Sequence, residues 1–194
     1  MTLSHIALVS LAALLTDNIV LGRILGVGPM MRAASHSKSA LRQSLAVAAV
    51  MVAASALLWP MEQLLLALNL PYMRTVVFAL VLAGLVPLID LGMSRLMPAL
   101  RAQAGDLLPH LALNSAVLGI ALLSAQAGLG FGDSLKTGLS AAAGFALVSM
   151  LFASIREKVD IRSDCPRAFE GVPIALVSAG LLALALMGFK GLVL

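Results

Sequence analysis

The sequence predicts an all-α integral membrane protein: six transmembrane helices arranged as two inverted three-helix repeats, with helices one and four broken. Three observations lead there. Hydrophobic residues make up 61% of the 194 and charged residues only 11%, whereas a typical soluble domain is about a quarter charged. Six stretches reach or approach the roughly 20 apolar residues that a spanning helix needs. Two of those stretches carry strongly polar residues and helix breakers inside the apolar run, where an anchoring helix has no use for them.

The first stretch runs from about Leu3 to Val27. Its apolar run, Ile6 to Leu15, is cut by Thr16-Asp17-Asn18, resumes at Ile19, and closes on Gly26-Val27-Gly28-Pro29. Polar side chains in hydrocarbon face a partner or a cavity, and broken backbone survives there only where it is sheltered. The stretch lacks the charged leader and small-residue cleavage site of a signal peptide, so it is expected to remain as the first helix. The second stretch runs from about Ser39 to Trp59, and the third from about Thr75 to Leu91 with Gly84 and Pro87 near its end. The fourth runs from about Leu107 to Leu123, with Pro109, His110 and Asn114 in its first part. The fifth runs from about Leu135 to Ile155 and the sixth from about Val172 to Phe189.

Six helices divide into halves of about 1–95 and 96–194 within a single domain, 1–194. An odd number of spans per half turns the second half upside down, and inverted repeats of this kind place their sites near the midplane on broken helices. A faint trace of repetition links Asn18-Ile-Val-Leu-Gly22 to Asn114-Ser-Ala-Val-Leu-Gly119. Lys and Arg fix the orientation. The loops after helices one, three and five hold ten of them: Arg23, Arg32, Lys38, Arg42, Arg95, Arg101, Arg156, Lys158, Arg162 and Arg167. The opposite side holds Arg74, Lys136 and Lys190. The basic side is cytoplasmic by the positive-inside rule, which puts both termini outside.

Composition excludes several classes. The net charge of +4 comes from scattered basic residues with few aromatics, so no nucleic-acid surface is expected. One cysteine excludes an internal disulfide framework. No Gly-rich phosphate loop, Ser/His/Asp arrangement or CxxC occurs, so no autonomous active site and no catalytic residue is assigned.

Asp17 and Asn18 are read as site-lining residues of a broken helix, against the simpler role of bonding a neighbouring helix. Asn114 and Ser115 are equally readable as site-lining or as polar glue between helices. His110 has no ligand-forming neighbour and reads as structural. Asp90 lies either on an ion path or at the water interface, and Cys165 reads as an incidental thiol. No metal site follows from any of these.

Several motifs resemble a known family. Asn18-Ile-Val-Leu with Leu25-Gly26-Val27-Gly28-Pro29-Met30, Asn114-Ser115-Ala116-Val117-Leu118-Gly119, Ile155-Arg156-Glu157-Lys158, Pro166-Arg-Ala-Phe-Glu-Gly171, and the run from Ile174 to Val193 are similar to the small six-helix subunits of the Rnf and Nqr redox-driven ion pumps. The RnfA branch is nearest, and the likeness spans nearly the whole chain. It implies a multi-pass protein of the bacterial inner membrane with periplasmic termini. It also implies a homologous, oppositely oriented RnfE-like partner and further Rnf-type subunits around it. In such a complex electron transfer is coupled to Na⁺ or H⁺ movement. The family's paired chains share a 2Fe-2S cluster, each giving two cysteines. The positions of those cysteines are Gly28 and Ser115 here. Glycine offers no ligand, and a serine hydroxyl is a hard donor at a site built on soft thiolate. The scaffold and complex membership are therefore expected without these ligands, in a structural or divergent role. The alternative function is a small transporter or channel that has lost redox chemistry.

Overall fold

The computed structural model describes residues 22, 25–26, 28, 37–96, 114–162 and 166–188. They are helical apart from short connections. The helices are α1 (Ser37–Ala67), α2 (Arg74–Leu96), α3 (Ser115–Gln126), α4 (Phe131–Arg162) and α5 (Val172–Met187), with 3-10 turns at Pro71–Met73 and Arg167–Phe169. Among the described residues, three segments are long and apolar enough to cross a membrane: Gln43–Ala67, Pro71–Gly92 and Phe131–Val159. Helices α3 and α5 are apolar and shorter.

The chain forms two compact units, one of residues 42–142 and one of residues 1–41 with 143–194; α4 contributes to both. In the first unit, α1 buries Val47, Val50, Met51, Ala54, Leu58 and Leu65. These recur every three or four residues and so line one face of the helix. Helix α2 answers with Phe78, Leu82, Leu85 and Val86, and α3 with Ala116, Val117, Ile120 and Ala121; α2 and α3 pack together. In the second unit the same spacing buries Phe145, Val148 and Phe152 of α4, and Ala175, Ala179, Leu182 and Leu186 of α5. The opposite faces are apolar too: Leu57, Leu64, Val76, Leu80, Leu88, Leu139, Leu181 and Leu184 are all exposed. A water-soluble surface does not carry this many large apolar side chains along its helices, and a lipid-facing one does.

Helix ends are closed by local chemistry. After α1, Asn69 adopts a left-handed conformation (φ 55°). The Leu70 amide then reaches the Leu65 carbonyl at 2.9 Å and the Asn69 amide the Leu66 carbonyl at 3.1 Å. This is a Schellman closure. Gly128 (φ 62°) repeats it after α3, with Leu129 N–H to Ser124 and Gly128 N–H to Ala125. Pro60 does not end α1, which continues to Ala67, eight residues beyond the Trp59 limit expected from sequence. Membrane helices tolerate an internal proline when surrounding groups re-satisfy the freed backbone. Likewise α4 begins four residues before and ends seven after the expected Leu135 to Ile155.

Candidate functional site

Asn114 sits immediately before α3 with extended backbone (φ −71°, ψ 112°), and its side-chain Oδ1 accepts the Ala116 amide at 3.0 Å. Its carbonyl accepts the Val117 and Leu118 amides at 3.0 and 3.2 Å. A helix start leaves amides without intrahelical partners, and a buried one must satisfy them with a cap. Asn114 is 1% exposed, so the cap is what lets a helix start there. Its Nδ2 has no hydrogen-bond partner among the described residues. Ser115 follows as the first residue of α3 and is exposed.

Gly28 belongs to the other unit. It is helical and exposed, and a Cβ added there would meet nothing within 4 Å. Ahead of it, Leu25 and Gly26 form a turn in which Gly26 takes φ 79°, a conformation that glycine adopts without strain. Asp17, Asn18, His110 and Cys165 lie outside the described residues. Asp90 is partly exposed on α2.

The 2Fe-2S cluster implied by the family resemblance does not fit the residues present. Gly28 offers only open space, and Ser115 offers an exposed hydroxyl. No group of three His, Cys, Asp or Glu side chains that could hold a metal occurs among the described residues. A thiolate-based cluster has no ligand at either position.

A second cluster of functional groups was not anticipated from the sequence. Glu62, 4% exposed on α1, is held by the Arg74 guanidinium, whose Nε donates to Oε2 at 2.7 Å while Nη2 donates to Oε1. One turn earlier, Trp59 Nε1–H donates to the Leu129 carbonyl at 3.0 Å, and its ring meets Phe131 edge-on at 5.4 Å. One face of α1 therefore anchors both connections at this end: the α1–α2 turn through Glu62 and the α3–α4 turn through Trp59. Between them lies a cavity of about 40 Å³, lined by Ser55, Trp59, Glu62, Phe78, Ser124 and Ser134 among others. The sequence signal was slight. Glu62 follows Trp59-Pro60, and its partner lies twelve residues on, across a turn that periodicity alone does not fold back.

Comparison of the sequence with known proteins shows its family. Residues 6–193 match the model of the Rnf-Nqr subunit family of membrane proteins. The A subunit of the ion-translocating oxidoreductase complex of Syntrophotalea carbinolica is 40% identical over 192 residues, covering 98% of this chain and 99% of that one. The protein of the same name from Sodalis glossinidius is 41% identical over 184 residues, 94% of this chain and 95% of that one. The A subunit of the Na(+)-translocating ferredoxin:NAD(+) oxidoreductase complex of Acetobacterium woodii is 38% identical over 185 residues, 95% and 96% of the two chains. With membrane-length apolar helices and a family match over nearly its whole length, this chain belongs to the Rnf-Nqr family of membrane subunits.

Proposed function

We propose that this chain is an A-type membrane component of an ion-translocating oxidoreductase complex in the bacterial inner membrane, where electron transfer is coupled to Na⁺ or H⁺ movement. The observation that carries this reading is mutual coverage: 98% of this chain aligns with 99% of the Syntrophotalea carbinolica protein at 40% identity. A shared segment would not give that, and neither would a common fold alone.

Within the reading, the chain is one domain of two inverted halves, 1–95 and 96–194, paired with an oppositely oriented homologue. The Gly26 turn and the Asn114 cap support backbone breaks at related places in the two halves. Asp17 and Asn18 in the first half and Asn114 in the second are the site-lining residues of this reading. The ten-to-three division of basic residues supports periplasmic termini. Gly28 and Ser115 leave the chain without cluster ligands, so it supports the complex as a frame and holds no cluster through those positions.

The test is affinity purification of the tagged chain from the membranes of its source, in mild detergent. The complex reading expects the oppositely oriented homologue and the remaining oxidoreductase subunits to co-purify in stoichiometric amounts. Recovery of the chain alone, at several detergent strengths, contradicts it.

A further inference from the structure

We propose that the Glu62 cleft binds a monovalent alkali cation, which replaces the Arg74 guanidinium as partner of the Glu62 carboxylate. The inference deepens the ion-translocation reading, yet it concerns the 42–142 unit alone.

Two of the donors around this cleft are committed within the protein, which leaves the oxygens of Ser55 and Ser124 to face an occupant. Ser55 Oγ gives its single proton to the Met51 carbonyl at 2.9 Å. The Trp59 indole N–H is taken by Leu129. Ser124, 5% exposed, has a buried Oγ with no hydrogen-bond partner, and Ser134 is 4% exposed. Three hydroxyl oxygens and one buried carboxylate thus line a single cavity. An unpartnered buried hydroxyl costs free energy, so the cavity is built for a polar occupant.

Among apolar neighbours, the acceptors of the lining are the serine hydroxyls, the Glu62 carboxylate and the Gln63 amide oxygen, with no thiolate, thioether or imidazole, a set that favours a hard cation over a soft one. A lone carboxylate, with no group of three acidic, His or Cys side chains among the described residues, selects one charge over two. The volume of about 40 Å³ accommodates two or three water-sized particles. That suits a small ion with a residual water.

Charge is conserved in the exchange. Glu62 keeps one positive partner before and after, so no bare buried carboxylate is created, the arrangement that makes breaking a buried pair costly. The asymmetry of exposure sets which group moves: the Arg74 side chain is 20% exposed and that of Glu62 only 5%. Arg74 can turn to water while Glu62 stays. Arg74 is also the first residue of α2, directly after the Pro71–Met73 turn. Cation entry therefore releases the clamp on the α1–α2 connection.

Trp59 is the only tryptophan in the chain and lines the cleft, so its fluorescence reports on it. The full-length chain in detergent is titrated with NaCl, and separately with KCl, against choline chloride at constant ionic strength. The expected result is a saturable change in the wild type. It is lost in Glu62→Gln, weakened several-fold in Ser124→Ala, and shifted at least tenfold toward lower salt in Arg74→Gln, where the carboxylate awaits a partner. Because Arg74→Gln strains the fold, its thermal midpoint is also followed and is expected to rise with Na⁺ more steeply than that of the wild type. A wild-type response that fails to saturate with either salt, or one that survives in Glu62→Gln, overturns the proposal and leaves a water-filled pocket. Neither outcome depends on whether partner subunits co-purify.

Discussion

Replacing Gly138 by alanine tests how closely α1 and α4 approach. A Cβ built at Gly138 would stand 2.9 Å from Ser55 Cβ, nearer still to Ser55 Oγ, and 3.6 Å from the Met51 carbonyl oxygen. Two effects oppose each other. Alanine is favoured over glycine in a helix interior by roughly 1 kcal/mol. Overpacking by one methyl costs about 1–3 kcal/mol, because backbone must shift where no flexible side-chain end can yield. Gly84 of α2 isolates the first effect, since a Cβ there meets nothing within 4 Å. Gly84→Ala is expected to stabilise slightly and Gly138→Ala to fall below it by about 1–3 kcal/mol. At about 2–4 °C per kcal/mol for a chain of this size, the gap in midpoint is on the order of 2–12 °C. The assay is thermal unfolding in one detergent at one scan rate, with Ser55→Gly and the Ser55→Gly, Gly138→Ala double variant closing a mutant cycle. Relief of the clash appears as a coupling of about 1–3 kcal/mol. A coupling below about 0.5 kcal/mol, or equal stability of the two alanine variants, refutes the close approach.

Two further outcomes follow from the α3 start and the cluster positions. Asn114→Ala removes the cap on α3 and is expected to cost about 1 kcal/mol, while Asn114→Ser retains an acceptor and recovers part of it; equal loss in both variants, measured by the same thermal assay, argues against capping as the role of Asn114. In the purified complex, the Gly28→Cys, Ser115→Cys double variant is expected to gain iron and a reduced-state electron paramagnetic resonance signal absent from the native complex; a native complex already carrying a two-iron cluster signal refutes the ligand argument made from Gly28 and Ser115.

Helix existence was legible in the sequence because a lipid solvent leaves a plain signature, runs of apolar residues long enough to span. Helices α1, α2, α4 and α5 lie where those runs lie. Their limits were less legible. The second stretch was expected to end near Trp59, yet α1 runs on through Pro60 to Ala67, and Glu62 on this added part is paired with Arg74. That pairing is a tertiary event which no local pattern announces. Asn114 stood out as polar within an apolar run, and the sequence left open whether it lined a site or joined helices. The structure assigns it a backbone task, capping α3. Ser124 and Ser134 drew no attention, since serine is common on membrane helices and only their burial in one cavity sets these two apart.

Helix α4 has 32 residues. At 1.5 Å per residue it is about 48 Å long, whereas the hydrocarbon layer is about 30 Å thick. Its first two turns hold Asp133 and Lys136, paired at 3.0 Å and exposed, and its final turns carry Arg156, Glu157 and Lys158. Neither end suits hydrocarbon, so the surplus of about 18 Å is absorbed by tilt or by projection into water. By the mismatch rule, a thinner bilayer is expected to increase the tilt of so long a helix and a thicker one to reduce it, which ties the inclination of this helix to lipid thickness.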